Sequence, residues 1–150
     1  MREMGLDHSV GFLLGVVYRK LSLLLASRIR EYDLTPEQWA VLFRVGERDG
    51  QIQKDIAERA GKDKPTTTRL LNALEEKGFI TRQAGTKDKR SFVIRATDKG
   101  LRTIAAVAPI ERATIRDACE GMTEETYESL MVRLAEINDN VERLLHQETE

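Results

Sequence analysis

The chain has 150 residues, 41% of them apolar and 33% charged, with a net charge of −1 at pH 7. That length suits one domain, or one domain with a helical extension, and leaves no room for a second catalytic domain. The single cysteine excludes an internal disulfide and fits a reducing compartment. The longest apolar run, Val10 to Ala26, is broken by Arg19 and Lys20, so no membrane partner and no cleavable leader are expected, and the expected location is the cytoplasm.

Val10, Leu13, Leu14, Val17, Leu21 and Leu24 draw an apolar stripe along a helix predicted to run to about Glu31. There Asp33-Leu34-Thr35-Pro36 stops it, and Thr35 caps the next helix, which carries Trp39, Leu42, Phe43 and Val45 inward. Ile52, Ile56, Ala57 and Ala60 are spaced for a short amphipathic helix, and Gly61 marks a tight turn. Asp63 as N-cap, Pro65 in the first turn and Gly78 as left-handed C-cap delimit a helix over 63–77. Thr67, Leu70, Leu71 and Leu74 form its apolar stripe; Pro65, Thr66, Arg69, Asn72, Ala73 and Glu76 face the other way. Short side chains with a guanidinium, an amide and hydroxyls are what a helix entering a major groove needs.

After Gly78 the period changes to two. Phe79 to Gln83 and Ser91 to Ala96 read as a hairpin, and its turn holds Lys87, Lys89 and Arg90 against Asp88 alone. By itself such a turn is equally a solvated loop guarding a strand edge; beside a helix-turn-helix it reads as a wing. Next, Leu101, Ile104, Ala105 and Ala108 share one face of a helix in which Pro109 is expected to introduce a kink. Thr123 caps a last helix whose Tyr127, Leu130, Leu134, Ile137, Val141 and Leu144 step as a heptad seam.

Charge is unevenly distributed: residues 1–50 balance to 0, residues 51–100 carry +5 and residues 101–150 carry −6. The basic third coincides with the groove elements, and an acidic third belongs away from phosphates. Apolar faces on both terminal helices suggest a shared dimer interface, the alternative being a monomer with an intramolecular bundle.

The segments LTPEQWAVL, DIAERAGKDKPTTTRLLNALEEKGFITR and DKRSFVIRATDKG resemble the winged-helix regulators of the multiple antibiotic resistance regulator (MarR) family. The resemblance covers roughly residues 10 to 145 and is most specific from Leu34 to Gly100. It implies a mainly α (α+β) fold: a winged helix-turn-helix over 34–100, with recognition helix 63–77 and wing 79–97, and dimerisation helices at 8–31 and 101–147. By the same resemblance Lys64, Pro65, Thr66, Thr68, Arg69 and Asn72 are groove candidates, and Thr68 is equally a packing hydroxyl. Arg90 matches the wing arginine of the minor groove, held by Asp88, with Lys87 and Lys89 beside it; the plain alternative is a surface arginine. Gln53 stands where the family commonly has Ser or Thr, Thr67 where it has an apolar β-branched residue, and Pro65 where Ser is frequent.

Other chemistries find little in the sequence. His8 and His146 with one cysteine give no zinc spacing and no Cys-His or Ser-His arrangement, and no phosphate-loop glycine spacing occurs. Cys119, between Asp117 and Glu120, is in surroundings that disfavour a thiolate. Neither cofactor nor metal is expected, and no enzymatic activity. The expectation is a homodimeric repressor of double-stranded DNA, released by a small-molecule effector, an aromatic one among the candidates. Arg19, Trp39 and Phe43 are candidates for contacting that effector, Trp39 reading first as core. The competing reading is a winged-helix module that binds protein.

Overall fold

The computed structural model describes residues 5–85 and 92–149. Lys87, Asp88, Lys89 and Arg90 lie outside the described residues. The chain divides into two units, Met1–Thr114 and Ile115–Glu150.

The first unit opens with α1 (Val10–Arg28), capped by Ser9. It ends earlier than Glu31, at Arg28 with Ile29 leaving helical geometry, and a 3-10 turn over Arg30–Tyr32 follows, closed by Asp33 in a left-handed conformation with φ 57°. None of the α1 side chains is buried. By length and composition alone α1 is apolar enough to cross a membrane, which corrects the expectation that Arg19 and Lys20 would break the run. Helices that cover an apolar face with protein share that composition.

In α2 (Pro36–Gly46), Thr35 and Gln38 form a reciprocal capping box, and Pro36 occupies the first turn. Trp39, Val41, Leu42 and Val45 are buried. Phe43, expected inward, is 37% exposed, because the inner face is centred on Val41 and Leu42. A two-residue strand β1 (Gln51–Ile52) follows, which the sequence did not suggest. Ile52 is therefore the N-cap of α3 (Gln53–Ala60) rather than an inward helical residue, and it is exposed, while Ile56 and Ala57 are buried.

Gly61, left-handed at φ 66°, turns the chain into α4 (Lys64–Glu76). Its buried residues are Thr67, Leu70, Leu71 and Leu74, the predicted stripe. Gly78 at φ 81° ends it, and Phe79 N–H donates back to the Leu74 carbonyl at 2.9 Å. Strands β2 (Ile80–Ala84) and β3 (Phe92–Ala96) pair antiparallel from Ile80↔Ala96 to Ala84↔Phe92. β1 joins the far edge of β3 through Gln51↔Ile94 and Ile52↔Val93, giving the order β1-β3-β2. Phe92 is exposed; Ile94 is the strand's buried residue.

α5 (Asp98–Ala118) runs through Pro109 as one helix. Its buried contributors are Gly100, Val107 and Thr114, with Ile104 partly covered; Leu101 and Ala105, expected inside, are exposed. The joint between hairpin and α5 is tight: Thr97 N–H donates to the Phe79 carbonyl at 3.0 Å, Thr97 Oγ1 to the Gly78 carbonyl at 2.7 Å. In the second unit Thr123 caps α6 (Glu124–Glu148), as its sequence predicts, and no α6 residue is buried.

A Cβ at Gly100 would lie 2.2 Å from the Phe79 carbonyl oxygen, a backbone atom that cannot move aside. Helix propensity favours alanine over glycine by roughly 1 kcal/mol, but overpacking costs about 1–3 kcal/mol. Gly100→Ala is therefore expected to destabilise the protein, read as a lower urea midpoint; a raised midpoint would show that Phe79 is not held against α5.

Candidate nucleic-acid interface

Residues at the start of α4 are placed by its cap. The Asp63 carboxylate accepts the Thr66 backbone N–H at 2.8 Å, and Thr67 Oγ1 donates to the Asp63 carbonyl at 2.7 Å from the buried side. With that turn closed, Lys64 and Pro65 are exposed and Thr66 is half-exposed. The Lys64 ammonium has no hydrogen bond or ion pair among the described residues. The Thr66 backbone N–H first, and then the Thr66 side chain, hold the Asp63 carboxyl below the ordinary aspartate value of 3.8, with Arg69 and Lys62 helping against desolvation.

The remaining candidates are tied to neighbours. Thr68 Oγ1 donates to the Lys64 carbonyl at 3.0 Å and accepts from Gln53 Nε2 at 2.5 Å, so its hydroxyl fastens α4 to the first turn of α3. Arg69 is well exposed, its Nη2 3.4 Å from Glu37 on α2. Asn72 is exposed, and its Oδ1 accepts from Arg82 Nη2 on β2 at 2.5 Å. Lys64, Pro65, Thr66, Thr68, Arg69 and Asn72 thus share one face of one helix, Thr68 lying between Lys64 and Asn72 with its hydroxyl engaged by Gln53.

Two residues at this face were not among the candidates. Gln53, at the start of α3, holds Thr68, and Arg82 holds Asn72 while sitting 3.8 Å from Glu75. The signal for Arg82 was in the alternation: Ile80 is buried, so the residue two positions on faces the same side of the hairpin. Arg95 on β3 is paired with Asp49 at 2.7 Å.

The orientation of α3 is fixed by a polar hub. Gln51 Nε2 donates to the carbonyls of Arg44, Val45 and Arg48 at 2.9–3.1 Å, satisfying the end of α2, and Gln51 Oε1 accepts from Arg59. Arg59 also pairs with Glu47, as does Arg44. Burial would raise the Glu47 carboxyl, but the hydrogen bonds and charges of Arg44 and Arg59 outweigh it and hold the group low.

Of the three effector candidates, Trp39 is 6% exposed and packs on Phe43 with centroids 5.5 Å apart and planes tilted by 55°. Arg19 is exposed on α1, with no hydrogen bond or ion pair among the described residues. No group of three or more metal-ligating side chains occurs among the described residues.

A model of the MarR family matches residues 34–92. The structure is similar to that of the transcriptional regulator SlyA, with a TM-score of 0.80 and 32% identity over 85% of this chain and 90% of that one. The chain belongs to the MarR family. The MarR-family assignment carries the winged-helix fold and a place among DNA-binding transcription regulators. A probable transcriptional regulator from Pseudomonas aeruginosa is similar at 28% identity, covering 88% of this chain and 98% of its own, with a TM-score of 0.81. The transcriptional repressor CouR, bound to a 23-mer DNA duplex, is similar at 26% identity, covering 92% and 98%, with a TM-score of 0.80.

Because its folded pKa is depressed, Asp63 contributes stability that is present above the ordinary value of 3.8 and lost as pH falls through the lower folded value. Asp63→Ala is expected to lower the urea midpoint at pH 7, and the gap between the two proteins is expected to narrow below pH 3.8. A gap independent of pH would assign the cap no ionic component.

Proposed function

We propose that this MarR-family chain is a homodimeric repressor that binds a pseudo-palindromic operator and is released by a small-molecule effector in the cytoplasm, without catalysing a reaction. One observation carries the reading: α4 is capped at both ends and buried along Thr67, Leu70, Leu71 and Leu74, with an opposite face of small polar and basic residues. CouR, a repressor of similar fold, is bound to duplex DNA, which supports extending that mode to this chain. In it α4 enters the major groove, and Lys64, Pro65, Thr66, Thr68, Arg69 and Asn72 meet phosphates and base edges, Thr68 also tying the helix to Gln53. Lys87, Lys89 and Arg90, with Asp88 beside them, serve as the wing tip, Arg90 in the minor groove, whose negative potential suits a guanidinium.

Residues 34–100 form the reading head and residues 8–31 and 101–147 the dimerisation region. Val10, Leu13, Val17 and Leu23 on α1, and Val141, Leu144 and Leu145 on α6, are exposed in the single chain, more apolar surface than scattered exposure explains. A dimer spaces two reading heads about one DNA turn, ~34–36 Å, apart. An effector that binds better to another spacing draws the population off DNA; the Trp39–Phe43 pair and Arg19 are where contact with it is proposed.

Selection from a pool of random duplexes is expected to enrich a palindromic motif; retention without a motif would favour a protein-binding module. Arg69→Ala and Arg90→Ala should each weaken binding by about 1–3 kcal/mol, and log affinity should fall with log salt by about 0.9 per neutralised phosphate. Duplex affinity unchanged in both variants would sink the contact assignment. Sedimentation is expected to give twice the 17.1 kDa chain mass, and Val17→Glu with Leu145→Glu to return the single-chain mass.

A further inference from the structure

Arg82 and Asn72 form a contact that groove entry alone does not require. The Arg82 side chain lies largely covered between β2 and α4, with 18% exposure. Its Nε is buried without a hydrogen-bond partner, and Glu75 Oε2, at 3.8 Å, supplies charge but no hydrogen bond. Asn72 Oδ1, at 2.5 Å from Nη2, is thus the side-chain atom that accepts a hydrogen bond from this guanidinium among the described residues. A charge-assisted bond of this kind fixes which way the planar amide points. Turning it over would set the Asn72 NH₂ donors against the guanidinium, two donors facing each other with one bond lost.

An asparagine that reads adenine uses both ends of its amide, the oxygen accepting from N6 and the nitrogen donating to N7. Here the Arg82 bond takes one of the oxygen's two acceptor positions and turns that end toward β2, so the nitrogen is the end left to face outward from an exposed residue. We propose that Arg82 is a positioning residue that makes Asn72 a donor-only reader, selecting guanine or thymine, whose major-groove edges offer acceptors with no donor beside them, over adenine, whose N7 acceptor adjoins the N6–H₂ donor, and cytosine, which offers only a donor. This inference rests on α4 entering a major groove.

The test is duplex selection on the full chain and three variants, each checked for folding by thermal melt. In the parent protein a palindromic motif is expected, with guanine or thymine at the one position per half-site that Asn72→Ala flattens. Arg82→Met keeps the covered stem and removes the donors; it is expected to change relative enrichment at that position about fivefold toward adenine, with the rest of the motif retained. Asn72→Asp keeps an acceptor for Arg82 and loses the donor, so it is expected to lose the guanine or thymine preference. That variant, at an exposed position, carries the test should Arg82→Met not fold. Adenine at that position in the parent, an unchanged profile in Arg82→Met, or a preference retained by Asn72→Asp would each overturn the role of Arg82 while leaving the DNA-binding reading intact. No motif from the parent protein would instead overturn groove entry itself, and this inference with it.

Discussion

The burial of one face of α4 sets the terms for everything around it. Thr67, Leu70, Leu71 and Leu74 are sealed against α2, α3 and the hairpin core, and each leucine so placed is worth about 1.5–3 kcal/mol relative to exposure. Rotating the helix by even one residue would bring Arg69 or Asn72 under the core and expose a leucine. The outward face is therefore held by hydrophobic burial on the other side, and its polar residues need contribute nothing to folding. That division explains how a helix can present a face of polar and small residues without losing its place.

Polar contacts then refine what burial fixes coarsely. Gln51, nearly buried, satisfies the last carbonyls of α2 and receives Arg59 from α3, so α3 cannot swing on its two-residue strand without stranding buried polar groups. Gln53 reaches Thr68, and Glu37 lies beside Arg69. The pair of Arg69 and Glu37 is well exposed and screened, so it orients more than it stabilises. The outer-face residues of α4 thus sit on a scaffold whose neighbours constrain their orientation before any partner arrives.

Local signals were legible in the sequence; long-range ones were not. The caps at Thr35, Asp63 and Thr123, the glycines at 61 and 78, and the α4 stripe rest on residues a few positions apart, and the structure shows them as read. β1 was not legible because two residues carry no period; its existence depends on β3, some forty positions away. Ile52 was misplaced for the same reason. The inner faces of α2 and α5 were rotated in the reading, Phe43 and Leu101 standing out where Val41 and Val107 go in, since several apolar residues competed for one narrow face and only tertiary packing chooses among them. At the site, residue types pointed to the outer face of α4, but that Asn72 and Thr68 are already engaged by Arg82 and Gln53 required knowing which elements adjoin.

The joint at Gly78, Phe79 and Thr97 has a mechanical meaning. Thr97 bonds both carbonyls at the exit of α4, Lys99 lies 4.5 Å over the Phe79 ring, and the backbone of Phe79 is in contact distance of Gly100 with no side chain between them. A flexible linker at this place would absorb movement. This one is stiff, so a tilt imposed on the first turn of α5 arrives at the exit of α4 and the root of the hairpin as the same tilt, and the two travel as one lever.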